Sequence, residues 1–500
     1  MSLFQGLAYG AVVMTVFSVF GCRSAQRTTA AASDHAKVHS RLPFRRHSTS
    51  PAPQIDSPIQ TVSHENDDDE PIDAIYPVAV TPESCEGELF VGATELSLDQ
   101  LIAAVRDRNP SLQAAQAAWN AAAERYPQAI ALDDPTLQSM FAPASFASNN
   151  SQSSYYLGAA QRVPWHGKRA LRGEVAQWDA QATAFDVAEV QLRLEVAARI
   201  AFFDYYLVQR ELELNQKNHE VTQDFRSTAK SKYEANQASE QDLSLADLEL
   251  AKLEEERLEL KRAQQIAVAR INTLIHRQPN HRLPPSPHQL EVLAELQHVD
   301  LLRELAIEKR PELAALSAKI QSEQTAVLLA CKEYYPDFEF MGRYDAFWTD
   351  AQQRPQVGMN MNIPLNRGRR AAAVREAQFK LTKLLAEYAR EQDTIREEVQ
   401  VASARVESSQ QAVALYQARL IPAAEANLAA ARAAYIGGSI DFLSVMTARR
   451  ESIAQQLGYH RALAEYHRSR ADLERAVGTE TTPFDKQPTE LNHPAATYLD

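Results

Sequence analysis

Gln356-Val-Gly-Met-Asn-Met-Asn-Ile363, closed by Pro364, opens the stretch that decides the fold. Val357, Met359, Met361 and Ile363 point one way along an extended chain, and Gly358, Asn360 and Asn362 point the other. That is period two, a strand with one apolar and one polar face. Helix-forming residues then run to about Ala434, with no Gly or Pro between Ala371 and Leu420. The run breaks at Ile436-Gly-Gly-Ser-Ile-Asp441 and resumes as a shorter helical segment ending at Gly478. A strand fused to a very long helical hairpin is an unusual object, and the chain contains it twice.

Composition agrees with long helices. Only 15 of the 500 residues are Gly and 23% are charged, a balance nearer to extended helical structure than to α/β domains. The net charge of -13 argues against a nucleic-acid partner, which requires a basic stripe. Cys22, Cys85 and Cys331 form neither a disulfide framework nor a metal-binding spacing. No Walker loop, catalytic triad or zinc spacing occurs, so the reading is of a non-enzyme without cofactor or metal.

The first 22 residues read as an export signal. Leu7 to Phe20 is mostly apolar and ends in Val19-Phe-Gly-Cys22, the order of a bacterial lipoprotein signal with Cys22 as the lipidated residue. The alternative is an uncleaved anchor helix. No later segment has the roughly twenty apolar residues of a membrane helix, so any further membrane contact falls to strands. Residues 23–95 are rich in Ser, Thr, Pro and His, acidic at Asp67-Asp-Asp-Glu70, and read as a disordered tether.

Order is expected from Ser97, an N-cap before Leu98, Leu101 and Val105. A helix to about Ala131, strands at 136–141 and 155–163, and a long helix from Trp165 to about Lys232 follow. After an interruption at Tyr233 to Asp242 comes a return helix to Ile275. On it Leu243, Ala246, Leu250, Leu253, Leu260, Ala267, Ile271 and Leu274 form a heptad stripe. The pattern then recurs. Asn109-Pro110 and Pro135 reappear as Arg310-Pro311 and Pro336, each displaced by 201 residues, and Val163-Pro164 reappears as Ile363-Pro364. Landmarks that keep one offset mark an internal duplication. The division is a first repeat at 96–278, a Pro-rich connector at 279–300, a second repeat at 301–478 and a tail at 479–500.

Each long helix would measure roughly 100 Å at about 1.5 Å per residue. Every strand lies at one end of a long helix and every Gly- or Asn-bearing turn at the other. Strands of about nine residues suit a tilted bilayer crossing. Phe338, Phe340, Gly342, Tyr344 and Ala346 alternate with Glu339, Met341, Arg343, Asp345 and Phe347, as lipid-facing and lumen-facing rows should. Tyr155, Tyr156, Trp165, Tyr334, Tyr335 and Trp348 flank the strands where an aromatic girdle belongs. A soluble four-stranded sheet with core aromatics is the competing reading. Four strands cannot close a barrel, so the membrane reading requires oligomerisation.

The duplicated pattern, Val163-Pro-Trp-His-Gly-Lys-Arg169, Ile363-Pro-Leu365 and Tyr435-Ile-Gly-Gly-Ser-Ile-Asp-Phe-Leu443 resemble the TolC-like outer membrane factors of efflux and type I secretion systems. The resemblance covers about 96–478. It implies a mainly α fold with a small β part: a homotrimer whose four strands per chain form a twelve-stranded transmembrane barrel in outer membrane lipid, above a periplasmic α-barrel. It further implies a passive exit duct in a tripartite system, with a periplasmic adaptor docking on the hairpin tips and an inner-membrane pump supplying energy. The tips fall at Ala235-Asn236-Gln237-Ala238 and Ile436-Gly437-Gly438-Ser439. Gly437 and Gly438 suit a reversal needing positive φ and close packing, or they are simply a tight turn. Asp242 and Asp441 cap the return helices or face the closing aperture. Where relatives carry gate carboxylates this chain has Ser444 and Thr447. Lys168, Arg169, Arg369 and Arg370 are either headgroup- or lumen-facing or ordinary solvated helix starts. His460 and His467 read as packing or surface residues rather than ligands. The Pro-Trp-x-Gly-Lys-Arg strand exit is similar to the heavy-metal branch of the family, leaving metal ions, drugs and other small molecules open. The rival class is a lipid-anchored periplasmic coiled-coil adaptor or scaffold. An adaptor should show one hairpin between Gly-rich β domains, and here there are two hairpins and few glycines.

Overall fold

The first helical segment is broken where its sequence demands. Pro110 has no N–H to donate and disfavours helix at the residue before it, so α1 (Leu98–Arg108) ends at Asn109 and α2 (Pro110–Ala123) begins with Pro at its first position. A short α3 (Arg125–Ile130) leads into β1 (Thr136–Phe141) and β2 (Tyr155–Val163). Then come the long α4 (Lys168–Glu234) and its return α5 (Glu240–Leu274). The second half repeats this order with α6 (Val299–Lys309), α7 (Pro311–Lys332), β3 (Phe338–Asp345), β4 (Pro355–Met361), α8 (Arg367–Leu415), α9 (Ile421–Ile436) and α10 (Phe442–Val477). This computed structural model describes Phe90 and residues 94–143, 154–235, 239–292 and 297–479, all within one compact unit, Val78–Asp500. Cys22, most of the tether, and the tip residues Asn236 and Gln237 lie outside the described residues.

Each repeat has its own core, built from corresponding parts. In the first, Leu101 and Val105 of α1 pack with Phe202, Phe203 and Tyr205 of α4 and Ile271 of α5. In the second, Leu302 and Ala306 of α6 pack with Ile395, Val399 and Val406 of α8 and Leu463 and Leu473 of α10. The expected heptad stripe on α5 is turned inward, with Ala246, Leu253, Ala267 and Ile271 buried. The proline landmarks have parallel duties as well. Asn109 Nδ2 donates to Leu274 O at 2.8 Å, and Arg310 Nη1 donates to Arg475 O at 3.1 Å, so each satisfies orphan carbonyls where its repeat's return helix ends.

Between α8 and α9 the helix widens into a π-turn over Tyr416–Leu420, directly before Pro422. A proline cannot donate and its ring crowds the preceding turn, and an inserted π-turn absorbs that misfit without ending the helix. The widened turn lays Tyr416 over Gly458 of α10, where a Cβ would stand 2.6 Å from the ring.

The four strands form one antiparallel sheet in the order β1-β2-β3-β4, leaving β1 and β4 as its edges. Register assigns the faces, since residues directly opposite share a side. Leu137↔Ala159, Ser139↔Leu157, Leu157↔Tyr344, Phe340↔Met359 and Gly342↔Val357 place one almost wholly apolar row of residues on one face. Gln138, Tyr156, Arg162, Glu339, Arg343, Gln356 and Asn360 share the other.

Candidate functional site

The apolar face of the sheet is uncovered in the single chain: Val357 is 94% exposed, Leu137 76% and Phe340 51%. A row of large apolar side chains in water is unfavourable, so its presence points to a different solvent or a partner. The polar face holds its own network. Arg343 Nε donates to Gln356 at 2.8 Å, Asn360 donates to Glu339 at 3.0 Å, and the Tyr156 hydroxyl donates to Gln138 at 2.6 Å. Arg343 also lies 5.7 Å from the Tyr156 ring centre. Tyr156 therefore belongs to the polar face and not to a lipid-facing aromatic girdle. Trp165 is stacked between Tyr335 at 5.3 Å and Phe338 at 5.7 Å, at the helix end of the sheet.

Where strand passes into helix, Lys168 is buried and donates from Nζ to Asp337 at 2.9 Å and to Tyr335 O at 3.1 Å. Asp337 also accepts from the Trp165 N–H at 3.0 Å and from Arg162 at 3.2 Å. Burial pushes the Asp337 carboxyl up, but its bonds to Lys168, Trp165 and Arg162 outweigh that and hold it below the ordinary range. Arg169 donates to Ile130 O and Arg370 donates to Glu333 O at 2.6 Å. Lys168, Arg169 and Arg370 are thus neither headgroup anchors nor solvated helix starts. They tie the strand exits to the helix ends before them, and Lys168 with Asp337 joins the first repeat to the second.

At the opposite end, α9 closes through a left-handed residue. Gly438 has φ +73°, whereas Gly437 has φ -74° and stays in ordinary helical geometry. Only Gly438 meets the conformational requirement assigned to both glycines. Ser439 N donates to Ala434 O at 2.9 Å, closing the turn, and nothing lies within 4 Å of where a Gly438 Cβ would project. Asp441 is the N-cap of α10, accepting from Ser444 N at 3.1 Å. The Ser444 hydroxyl and then its N–H hold the Asp441 carboxyl below its usual range. In the first repeat the cap is Ser239; Asp242 completes a capping box from the third helical position. Thr447 donates its hydroxyl to Leu443 O at 2.9 Å.

Residues 302–479 match the family model described as outer membrane efflux protein. The matched segment coincides with the second repeat. No curated relative matches the sequence. Among solved structures, the outer-membrane channel OprN is 20% identical with a TM-score of 0.65, covering 77% of this chain and 91% of its own. CusC, described by its folding and transmembrane channel formation, is 16% identical with a TM-score of 0.66, over 78% of this chain and 93% of its own. The open-state MtrE channel of Neisseria gonorrhoeae is 17% identical with a TM-score of 0.65, over 78% and 91%. At such identities the likeness establishes the fold, that of TolC-like channels.

The second repeat is joined to the first by a ladder of ion pairs that periodicity alone did not show. Arg450 of α10 forks onto Glu249 of α5, with Nε to Oε1 at 2.9 Å. These two residues stand 201 positions apart, the offset also kept by the proline landmarks. Further along, Arg461 meets Glu211 at 2.9 Å, Arg468 meets Asp204 at 2.6 Å and Arg199 meets Glu474 at 3.1 Å. The available signal was the set of arginines on α10, three of which face acids on α4 and α5, while Glu474 of α10 faces Arg199 of α4. Each partly exposed pair is worth about 0.2–1 kcal/mol, so the ladder sets register more than it stabilises.

His460 and His467 of α10 are packing residues. The Tyr206 hydroxyl lies 3.4 Å from His460 Nδ1, and the His467 ring stacks on Phe203 at 4.7 Å. Among the described residues no group of three His, Cys, Asp or Glu is placed to hold a metal. Burial, and after it the Arg470 charge, lower His467 to about 4. The unfolded chain binds this proton near pH 6.5 and the folded chain does not, so stability is full above that value and falls as pH drops toward 4. The loss is roughly 2 kcal/mol per chain at about pH 5. His467→Phe is expected to shrink the difference in thermal midpoint between about pH 7 and about pH 5, measured in detergent beside the parent. An unchanged difference would show that His467 does not titrate on unfolding.

Proposed function

We propose that three copies of this chain close a twelve-stranded barrel in the outer membrane, continued into the periplasm by the long helices, as a passive exit duct in a tripartite export system. The observation that carries this reading is the sheet with two open edges and one exposed apolar face. Backbone groups at an edge cannot stay unpaired in hydrocarbon, so β4 must meet the β1 of a neighbour and the sheet must close. The exposed Leu258 and Ile266 of α5 and Phe379 of α8 supply matching apolar contacts along the helical edges. An adaptor or scaffold that remains in the periplasm leaves the apolar sheet face unexplained.

Closure takes the polar face inward, where Arg343, Glu339 and Asn360 line a wet lumen. The strand exit similar to the heavy-metal branch has a structural duty in each described contact: Trp165 stacks, Lys168 is buried against Asp337 and Arg169 holds Ile130. It therefore lends no support to metal over other small solutes. The hairpin tips, with Gly437 and Gly438 in the second repeat and Asn236 and Gln237 in the first, are the adaptor-docking surface in this reading. Cys22 is the lipidation site, and Asp242 and Asp441 belong to helix starts near the aperture.

Membrane fractionation together with mass measurement in mild detergent tests the proposal. An outer membrane species of three chains is expected; a soluble periplasmic protein, or a stable monomer or dimer, would overturn it. Gly438→Trp should leave that trimer intact, since space around the position is open and a non-glycine residue at positive φ costs only about 1–2 kcal/mol. It should nevertheless abolish adaptor recruitment, because a bulky ring stands where a partner's backbone must approach. Unaltered recruitment would mean the tip is only a turn.

A further inference from the structure

We propose that Arg432 and Arg449 form a docking site for a carboxylate-bearing segment of the periplasmic adaptor, received at the seam between the two hairpins of one protomer. The inference rests on the tip-docking reading above and adds the chemistry of the partner. Six arginines lie on α10, and five have carboxylate partners: Arg450, Arg461, Arg468, Arg470 and Arg475 pair with Glu249, Glu211, Asp204, Glu474 and Glu398. Arg449 is the exception among the described residues. Its charged neighbour is Arg432 of α9, a like charge, and burial first and that charge second hold Arg449 below the usual arginine range. Arg432 lies 5.7 Å from the centre of the Phe225 ring. The Nε atoms of both arginines are buried without a hydrogen-bond partner.

Two adjacent guanidinium groups without an acid between them repel each other, and a carboxylate seated there converts that repulsion into two charge-assisted forks. Position favours a protein carboxylate over a free anion. The floor of the site is aromatic, with Phe225 packed against Phe442 and Phe442 against Tyr435, one turn from the Gly438 reversal. Lys232 adds a third cation, 3.8 Å from the Tyr435 ring centre. Phe225 belongs to the first repeat, so the site straddles the seam inside one protomer. A second copy of the chain would be met elsewhere, along α5 and α8. At the 201-residue offset of the proline landmarks, Arg432 falls on Ser231 and Arg449 on Leu248. The first repeat therefore lacks the pair, and a trimer carries three such sites rather than six.

The test uses the full chain in its outer membrane, co-expressed with the periplasmic adaptor of the same genome, and reads the adaptor that cross-links to and co-purifies with the trimer. Arg432→Glu with Arg449→Glu should reduce that adaptor by roughly tenfold or more, while Arg432→Lys with Arg449→Lys keeps most of it. Changing an Asp or Glu of the adaptor's hairpin to Arg should restore recruitment by the double-Glu chain and lower it with the parent. If the double-Glu chain does not accumulate as a trimer, Arg449→Gln supplies the same comparison at nearly constant size, with a several-fold loss expected. Undiminished recruitment by trimeric charge-reversed chain overturns the proposal. So does restoration found only through second changes in this chain, which would assign the arginines to folding or to a neighbouring copy. Gly438→Trp separates the two levels: recruitment lost there but kept on charge reversal removes this proposal alone, and recruitment kept in both removes the docking reading itself.

Discussion

Lys168→Ala is expected to destabilise each chain by about 3–5 kcal/mol, the usual cost of removing one partner from a buried ion pair. Lys168 is 1% exposed, and its ammonium serves Asp337, Tyr335 O and Glu333 together. Without it, Asp337 keeps the Trp165 N–H and the more exposed Arg162, and remains a buried carboxylate short of its closest cation. The site joins β2 and α4 of one repeat to β3 of the other, so the loss should loosen the junction of sheet and helices. Thermal unfolding in detergent measures it as a lowered midpoint. Asp337→Asn alone should also destabilise, by stranding Lys168. Lys168→Met with Asp337→Asn should cost less than the two single changes added, because no uncompensated charge is left inside. A Lys168→Ala chain as stable as the parent would show that the junction is held by packing alone.

Leu157→Arg should prevent stable membrane insertion, although in the single chain it touches little. Leu157 is 50% exposed, on the apolar face opposite Ser139 and Tyr344, the third of the nine residues of β2. An arginine on the lipid face of a barrel costs about 2–4 kcal/mol at the bilayer midplane, and a trimer incurs it three times. Asn360→Arg is the matched control on the other face, beside Glu339, and should insert normally. The measurement is the heat-resistant trimer recovered from outer membranes. Equal yields from the two variants would mean that the apolar face is not turned to lipid. That outcome would remove the barrel while leaving the helical fold untouched.

The long elements were legible because they are written in local periodicity. Thr136–Phe141 and Tyr155–Val163, set between Pro135 and Pro164, read as strands at the bounds the structure has. Helix formers, with Pro and Gly at the ends, marked the hairpins. Helix bounds shifted where chemistry is finer than pattern. Ser239, not Asp242, caps α5, since either can accept a hydrogen bond at a helix start and only the turn geometry chooses. The second long helix reads in sequence as running straight through Pro422, where the structure inserts a π-turn. Packing against Gly458 accompanies the π-turn.

By itself the sequence determined the duplication, the strand and helix order, and the two-faced character of the strands. These follow from residue spacing along one chain, and no distant contact is needed to read them. The tertiary structure decided which charges meet. Lys168 looked like a solvated or headgroup cation and is buried against Asp337, 169 residues away. Arg450 is one arginine among six on α10 and pairs with Glu249 of the first repeat, 201 residues away. A side chain's charge is a property of the residue, but its partner depends on how two separately formed hairpins dock. Electrostatic attraction falls with distance in space, not with separation in sequence, so only the folded chain reveals which arginines meet a carboxylate and which, like Arg449, have another arginine as neighbour.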